Sequence, residues 1–165
     1  MTMTSDRMKL PFLATAQAQK EATHNEALAL LDIAVQPVVQ AIAPAGTPSA
    51  PVVGQCWVVG PAPTGGWAGQ AGALAGWSGG GWRFVAPFEG MTVWSIADGL
   101  CARRSGLTWI LGQLGATKLV VGGQQVVGAR QAAIAVPSGG AVVDAEARIA
   151  VLAIVAALHG HGLIA

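Results

Sequence analysis

The hydrophobic pattern of the chain begins with helical spacing, changes to short alternating runs, and returns to helical spacing at the C-terminus. An apolar stripe predicts a helix over residues 24–35; its members are Ala27, Leu28, Leu31 and Val35. Thr23 and Glu26 have the spacing of a capping box, and Pro37 follows where the helix should end. This reading leaves Glu26 and Asp32 on the solvent side of the helix.

Short runs of β-branched and aromatic residues between glycine-rich turns fill the middle of the chain and predict strands. The runs are 36–40, 54–60, 82–85, 91–97, 100–103, 107–110, 118–121, 125–128 and 132–136. Hairpin turns are expected at Gly79–Gly81, Asp98–Gly99 and Gly122–Gly123. Regular spacing of short strands indicates an antiparallel sandwich or small barrel, or else an open meander that neighbouring subunits complete.

The C-terminal pattern predicts a second helix, with Asp144 as its N-cap and Glu146 in its first turn. One apolar stripe runs along it, and other apolar residues widen the stripe; the stripe is Ile149, Leu152, Val155 and Leu158. A helix that is apolar nearly all round must be buried. We expect it to pack on the β-rich body or around an oligomer axis.

Together these elements predict an α+β protein. Its expected parts are a flexible N-terminal arm at 1–9, a helical docking segment at 10–43, a β-rich body at 52–137, and the C-terminal helix at 142–165. A proline-rich connector lies between the second and third parts.

Charge is scarce: only 10% of the residues are charged, and none lies between Asp32 and Arg83. A surface with so few charges does little to keep copies of the chain apart, so we expect a homo-oligomer. The net charge of +1 and the absence of a basic cluster argue against nucleic acid as a partner. No apolar run approaches the roughly 20 residues that span a bilayer, so membrane insertion is not expected.

Residues that carry chemistry are few, and no nucleophile, phosphate-loop or metal motif is present. His24 falls within a helix cap, which favours a structural role. Glu89 and Asp98 are the carboxylates of the β-rich body and could pair as in a glycosidase, although surface charges are the commoner explanation. The sequence therefore predicts no enzyme and no cofactor. Cys56 and Cys101 have no metal spacing and are expected to be buried thiols, with a disulfide as the alternative.

Six tryptophans are present, and three of them lie among glycines as candidate stacking surfaces for sugar rings: Trp67, Trp77 and Trp82. In that reading, flat indole faces pack on pyranose rings of a cell-surface polysaccharide. The other reading makes the tryptophans the core of a domain that is short of other large side chains.

Three blocks carry a resemblance to a known family: LPFLATAQAQKEATHNEALALLD, GWAGQAGALAGWSGGGWRFVAPFEG and VVDAEARIAVLAIVAALHGHGLIA. In this order they resemble phage-derived structural or host-attachment proteins of prophages and gene transfer agents. The resemblance implies a virion component, assembled in the cytoplasm of the producing bacterium with other virion proteins, as part of a head spike or fibre.

In such a component we expect the N-terminal segment to serve for docking and assembly, through Leu10, Phe12, Leu13, Gln17, Lys20, Asn25, Leu28 and Leu31. Two alternatives stay open. One is a monomeric carbohydrate-binding module that works through exposed tryptophans. The other is an accessory domain of a cell-wall hydrolase, which would depend on Glu89 or Asp98.

Overall fold

A computed structural model describes residues 3–13, 20–136, 138–139, 144–160 and 163–164. The chain forms two compact units, Met1–Gln113 (unit 1) and Leu114–Ala165 (unit 2). The helices in the described residues are α1 (Lys20–Ala34) and α2 (Ala145–Gly160). The strands are β1 (Val38–Val39), β2 (Cys56–Val58), β3 (Leu74–Ser78), β4 (Gly81–Val85), β5 (Thr92–Ser95), β6 (Leu100–Ser105), β7 (Thr108–Leu111), β8 (Leu119–Val121) and β9 (Gln124–Val127).

Unit 1 contains two open sheets. The first has the strand order β1-β5-β6-β7, and the second has the order β2-β3-β4. All pairs are antiparallel except β1 with β5, where Val38 lies opposite Trp94 in parallel register. The first sheet is thus built from β1, which precedes the second sheet in the sequence, and from β5, β6 and β7, which follow it.

The β2-β3-β4 sheet is buried on both faces because alternate side chains enter two different cores. One core joins the two sheets and α1, and its buried members are Ile33, Val39, Cys56, Val58, Leu74, Met91, Val93 and Ala102. The other core lies on the opposite face and is built from Trp57, Val59, Trp67 and Ala75. This arrangement explains why β2 is apolar at successive positions, as expected for a strand buried on both sides.

Helix α1 already includes Lys20, so Thr23 and Glu26 lie inside it and the predicted capping box is wrong. The side chain of Glu26 instead pairs with Arg83 on β4. The C-terminal end was predicted well, because α1 ends at Ala34, before Pro37. Asp32 was expected on the solvent side, but it is only 3% exposed, which is a second correction.

Residues 3–13 lie against α1, and we call them the N-terminal strap. The Asp32 carboxylate accepts hydrogen bonds from the Ser5 hydroxyl (2.9 Å) and from the backbone N–H groups of Arg7 (2.7 Å) and Met8. The Arg7 guanidinium donates to carbonyls at the C-terminal end of α1, including that of Gln36 (2.9 Å). The prediction of a flexible arm at 1–9 did not anticipate these bonds, which the buried carboxylate requires because a buried charge must be hydrogen-bonded.

Unit 2 contains the β8–β9 hairpin and helix α2. Gly122 and Gly123 both have positive φ in the hairpin turn, as the sequence predicted. The Asp144 carboxylate accepts from the N–H of Ala147 at 2.9 Å, which confirms the predicted N-cap. The segment 132–136 was predicted to be a strand, but none of its residues lies in one; among the described residues, the neighbouring Gln131 forms a single bridge with Ile164.

The fold class is α+β, as predicted, but the sheets are open and form no closed barrel. Helix α2 was expected to be buried on the β-rich body or around an oligomer axis; within unit 2 itself none of its residues is buried. The hairpin β8–β9 was assigned to the β-rich body ending at residue 137, whereas the boundary between the two compact units follows Gln113.

Candidate functional site

A cleft of about 400 Å³ lies in unit 1 between the N-terminal strap, α1 and the β3–β4 hairpin. We call it the strap cleft. Its floor includes Gly76 and Ser78, whose positions on β3 face α1. Gly76 allows this close packing, because a Cβ there would lie 2.5 Å from Cδ1 of Ile33.

The polar groups of the strap cleft already pair with one another. The Arg83 Nε donates to both carboxylate oxygens of Glu26, at 2.9 and 3.1 Å, and its terminal nitrogen donates to the Ser78 hydroxyl. The Ser78 hydroxyl in turn donates to the carbonyl of Gly81 at 2.8 Å. These bonds fix the β3–β4 turn and give the side chains of Glu26, Arg83 and Ser78 partners within the chain.

The two carboxylates of the predicted β-rich body, Glu89 and Asp98, lie at opposite ends of the β5–β6 hairpin. Glu89 accepts from the N–H of Gly106 at 2.7 Å and lies 3.7 Å from Arg103. Asp98 accepts from the Ser95 hydroxyl in the turn at the other end. They do not face a common cleft, as a glycosidase pair would. Within the described ranges, no three metal-binding side chains come together.

The tryptophan candidates form a cluster in which the rings pack edge to face. Ring centroids lie 5.2 Å apart for Trp67 and Trp82 and 4.9 Å apart for Trp77 and Trp82, and Trp57 completes the cluster. Trp67 is only 2% exposed, so it offers no face to a sugar ring, and its assignment as a stacking residue is corrected. Trp77 and Trp82 are half-buried. The cluster fits the core reading, because such pairs stabilise a core beyond the area they bury.

A second cavity of about 200 Å³ lies beside this cluster, between the loops 43–47 and 60–64, and Trp67 lines it. We call it the loop pocket. The Trp67 indole nitrogen is buried and has no hydrogen-bond partner among the described residues. A buried donor without an acceptor costs about 1–3 kcal/mol, so this N–H is a notable exception in the core. By contrast, the Trp109 indole donates to the carbonyl of Gly72 at 2.9 Å.

The two cysteines are in different environments and are not bonded to each other. Cys56 is buried in the core beneath the strap cleft, as predicted, and burial raises the pKa of its thiol from 9.0 to about 11. Cys101 is exposed, because position 101 of β6 points away from the core that contains Ala102. The prediction that both thiols are buried is therefore wrong for Cys101.

The predicted docking residues divide between contacts within the chain and exposed positions. The Asn25 side chain pairs with the backbone of Leu13 through two hydrogen bonds, at 2.9 and 3.0 Å. Phe12 lines the strap cleft. Leu10 and Leu28 are half-buried, Leu31 and Lys20 are exposed, and Gln17 lies outside the described residues.

Unit 2, taken by itself, exposes a large apolar surface. Among its described residues only Ile164 is buried. Both faces of the β8–β9 hairpin and most of α2 are exposed, and Ile149 is 67% exposed. From the predicted stripe, Ile149 and Leu152 are exposed while Val155 and Leu158 are half-buried. No helix in the described part of the chain is long and apolar enough to span a membrane.

Sequence reasoning missed the residues that hold the strap, namely Ser5, Arg7 and Asp32. Their signal was weak, because a short polar N-terminus usually indicates a frayed end. The one usable hint was Asp32, which is the last charge before a long uncharged stretch.

The chain belongs to the family described as protein of unknown function (DUF2793), whose sequence profile matches residues 24–110. The match covers most of α1 and continues into β7, which is nearly the whole of unit 1 without the strap. The matched region excludes unit 2. No curated protein matches the chain.

Proposed function

We propose that this DUF2793 protein is a non-enzymatic structural subunit of a phage-like particle, where it forms part of a head spike or fibre that attaches to the host cell. The single observation that carries the proposal is the apolar surface that unit 2, taken by itself, exposes. The three blocks that resemble prophage and gene transfer agent proteins supply the particle and the attachment role.

The composition of unit 2 supports further copies of this chain as the occupant of that surface. A two-stranded hairpin is at best marginally stable by itself, and both edges of β8–β9 are unpaired within the described residues. The surface contains few charges that would steer a different partner, because the only charged residues from Leu114 onward are Lys118, Arg130, Asp144, Glu146 and Arg148. Obligate homo-oligomers bury large apolar interfaces of this kind and often have no stable monomer.

In the proposed function, units 1 and 2 have different roles. Unit 1 is a folded module with its own two cores. Unit 2 supplies the self-associating part, which repeats unit 1 on one assembly. Repetition raises the effective concentration of any surface site, so weak contacts with a cell surface become strong through avidity.

The test is the mass of the purified chain by light scattering, for the parent and for two matched variants. Ile149→Lys places a charge on the exposed apolar helix, whereas Leu107→Lys places the same charge on a 90% exposed apolar residue of unit 1. We expect a closed oligomer for the parent and for Leu107→Lys, and dissociation for Ile149→Lys. A monomeric parent would overturn the proposal.

All six tryptophans lie in unit 1, so indole fluorescence reports whether unit 1 of the Ile149→Lys variant remains folded. The particle assignment has its own test: density-purified particles from a producing bacterium should contain the chain in many copies. If the chain were absent from such particles, the proposed virion role would be refuted, although the protein could still self-associate. A monomer that binds glycans would instead favour the carbohydrate-binding alternative.

A further inference from the structure

Trp94 lies on the face of the β1-β5-β6-β7 sheet that is turned away from the core, and we call this face the outer face. Side chains alternate along β5, so Val93 and Ser95 are buried while Thr92 and Trp94 are exposed. The exposed fraction of Trp94 is 44%, whereas the other five tryptophans of the chain are buried or half-buried. Packing in a core therefore explains those five tryptophans but not Trp94.

The register of the strands defines the neighbours of Trp94 on the outer face. Val38 and Cys101 lie directly opposite Trp94 on the two flanking strands, and both are exposed. Arg103 lies opposite Thr92 and is thus a diagonal neighbour of Trp94. Across an antiparallel pair, opposite side chains on one face are about 5 Å apart and diagonal ones about 7–8 Å apart. The outer face therefore presents an apolar row with a guanidinium beside it.

The outer face is too small for a stable protein–protein interface. Strands lie about 4.8 Å apart and rise about 3.4 Å per residue, so four strands of about four residues cover roughly 250 Å². A specific interface buries roughly 800 Å² on each partner. A small ligand with a flat apolar side suits this surface better than a second copy of the chain.

The charge of the outer face favours an anionic ligand. Among the strand residues on this face only Arg103 is charged, and its side chain is 41% exposed. Its Nη1 lies 3.7 Å from Oε1 of Glu89, which is too far for a hydrogen bond. An ion pair between two exposed side chains contributes little, so Arg103 can turn its donors to a ligand. A guanidinium binds a carboxylate well because it donates two parallel hydrogen bonds.

A ligand that meets these demands is flat, has one apolar side and has a carboxylate at its edge. We propose that the outer face binds an acidic pyranose, namely a uronic acid residue of a cell-surface polysaccharide. The ring C–H groups pack on the electron-rich face of the Trp94 indole, and the carboxylate accepts from Arg103. A nucleic acid could also stack on the indole, but its phosphates need several cations on one face. The proposal rests on the attachment role and deepens it by naming the ligand class.

Cys101 supplies a reporter at the site, because its exposed thiol lies directly opposite Trp94. Iodoacetamide is neutral, and mass spectrometry of peptides gives its rate of reaction with Cys101 in the full chain, with the buried Cys56 as internal reference. Trigalacturonic acid is the probe, and we expect it to slow this reaction until protection saturates. Its fully methylated ester keeps the shape but not the charge, and half-protection should need about fivefold more of it, the upper end for an exposed charge pair.

Three variants test the two contacts. Trp94→Ala should weaken binding of trigalacturonic acid about tenfold, the size of a stacking contact between an aromatic side chain and a flat ring. Phe88→Ala also removes an aromatic ring, 63% exposed, but from a loop outside the four strands, and it should bind normally. Arg103→Gln should bind the acid and its ester equally, and it tests the site even where Trp94→Ala fails to fold.

Several outcomes would overturn the proposal. They are an unprotected Cys101, equal protection by acid and ester in the parent chain, and unchanged protection in Trp94→Ala. Protection that rises with protein concentration in the absence of sugar would assign the outer face to a second copy instead. The light-scattering and particle tests involve no sugar. Failure of sugar binding therefore leaves the structural role intact, whereas sugar binding by a chain that is absent from particles would refute the virion role alone.

Discussion

The replacement Asp32→Asn tests whether one buried carboxylate holds the N-terminal strap. In the structure this carboxylate accepts from the Ser5 hydroxyl and from the N–H groups of Arg7 and Met8. The amide keeps the shape of the side chain but loses the charge, and it turns one acceptor oxygen into an N–H₂ donor. At least one strap N–H then faces another donor instead of an acceptor.

The expected loss follows from these bonds. A hydrogen bond to a charged group contributes about 1.5–3 kcal/mol, so three of them set an upper bound of roughly 5–9 kcal/mol. The strap can leave α1 and regain water as a partner, which limits the loss. We therefore expect the free energy of unfolding to fall by about 2–4 kcal/mol. With a typical urea dependence this lowers the unfolding midpoint by about 1–2 M.

Two measurements check this prediction at a fixed protein concentration. Urea unfolding followed by tryptophan fluorescence gives the midpoint, and native-state hydrogen exchange gives the protection of the Met8 amide. Protection should fall at least about thirtyfold, which corresponds to roughly 2 kcal/mol. Asp6→Asn is the control: it also removes one negative charge from the strap region, but the structure shows no hydrogen bond to the Asp6 carboxylate. It should change neither the urea midpoint nor the protection of the Met8 amide. Equal effects of the two replacements would refute the reasoning.

Four further predictions follow from the packing of unit 1. Gly76→Ala should cost about 1–3 kcal/mol of stability in thermal unfolding, because its Cβ would lie 2.5 Å from Ile33, whereas Gly79→Ala meets nothing within 4 Å and should be nearly neutral. Glu26→Gln should cost at most about 1 kcal/mol in the same assay, because the ion pair with Arg83 is partly exposed. A thiol reagent at pH 8 should modify Cys101 and spare Cys56 until unfolding, as mass spectrometry of peptides would show. Burial raises the pKa of the Cys56 thiol from 9.0 to about 11, so the stability that the neutral buried thiol contributes should be complete below pH 9 and be lost as the pH rises through 11. In Cys56→Ala, the urea midpoint should no longer show this fall with pH.

The local elements of this fold could be predicted because short-range chemistry decides them. The Asp98–Gly99 and Gly122–Gly123 turns, the N-cap at Asp144 and the end of α1 before Pro37 all follow from backbone preferences of the residues involved. The predictions failed where a distant residue decides. Glu26 was assigned to a capping box because its partner Arg83 is remote in sequence. Asp32 was placed in solvent because nothing local reveals that the strap returns to it.

The candidate sites were harder to predict than the strands. The spacing of Trp67, Trp77 and Trp82 gave no information on which rings pack together, and only the second core shows that Trp67 is buried. The loop pocket depends on two loops that contain no motif, so no sequence pattern indicates it. The exposed apolar surface of unit 2 was predicted only in part, since the low charge indicated self-association without locating it.

The parallel pairing of β1 with β5 has a consequence for synthesis on the ribosome. β1 leaves the ribosome early, but its partner Trp94 follows only after the entire β2-β3-β4 sheet has been made. The local β3–β4 hairpin can form at once, whereas β1 has to wait with its hydrogen-bonding groups unpaired. The chain between β1 and β5 is a long loop, and its late closure is expected to limit the folding rate. Until β5 is available, the unpaired β1 can pair wrongly with another nascent chain made from the same messenger RNA.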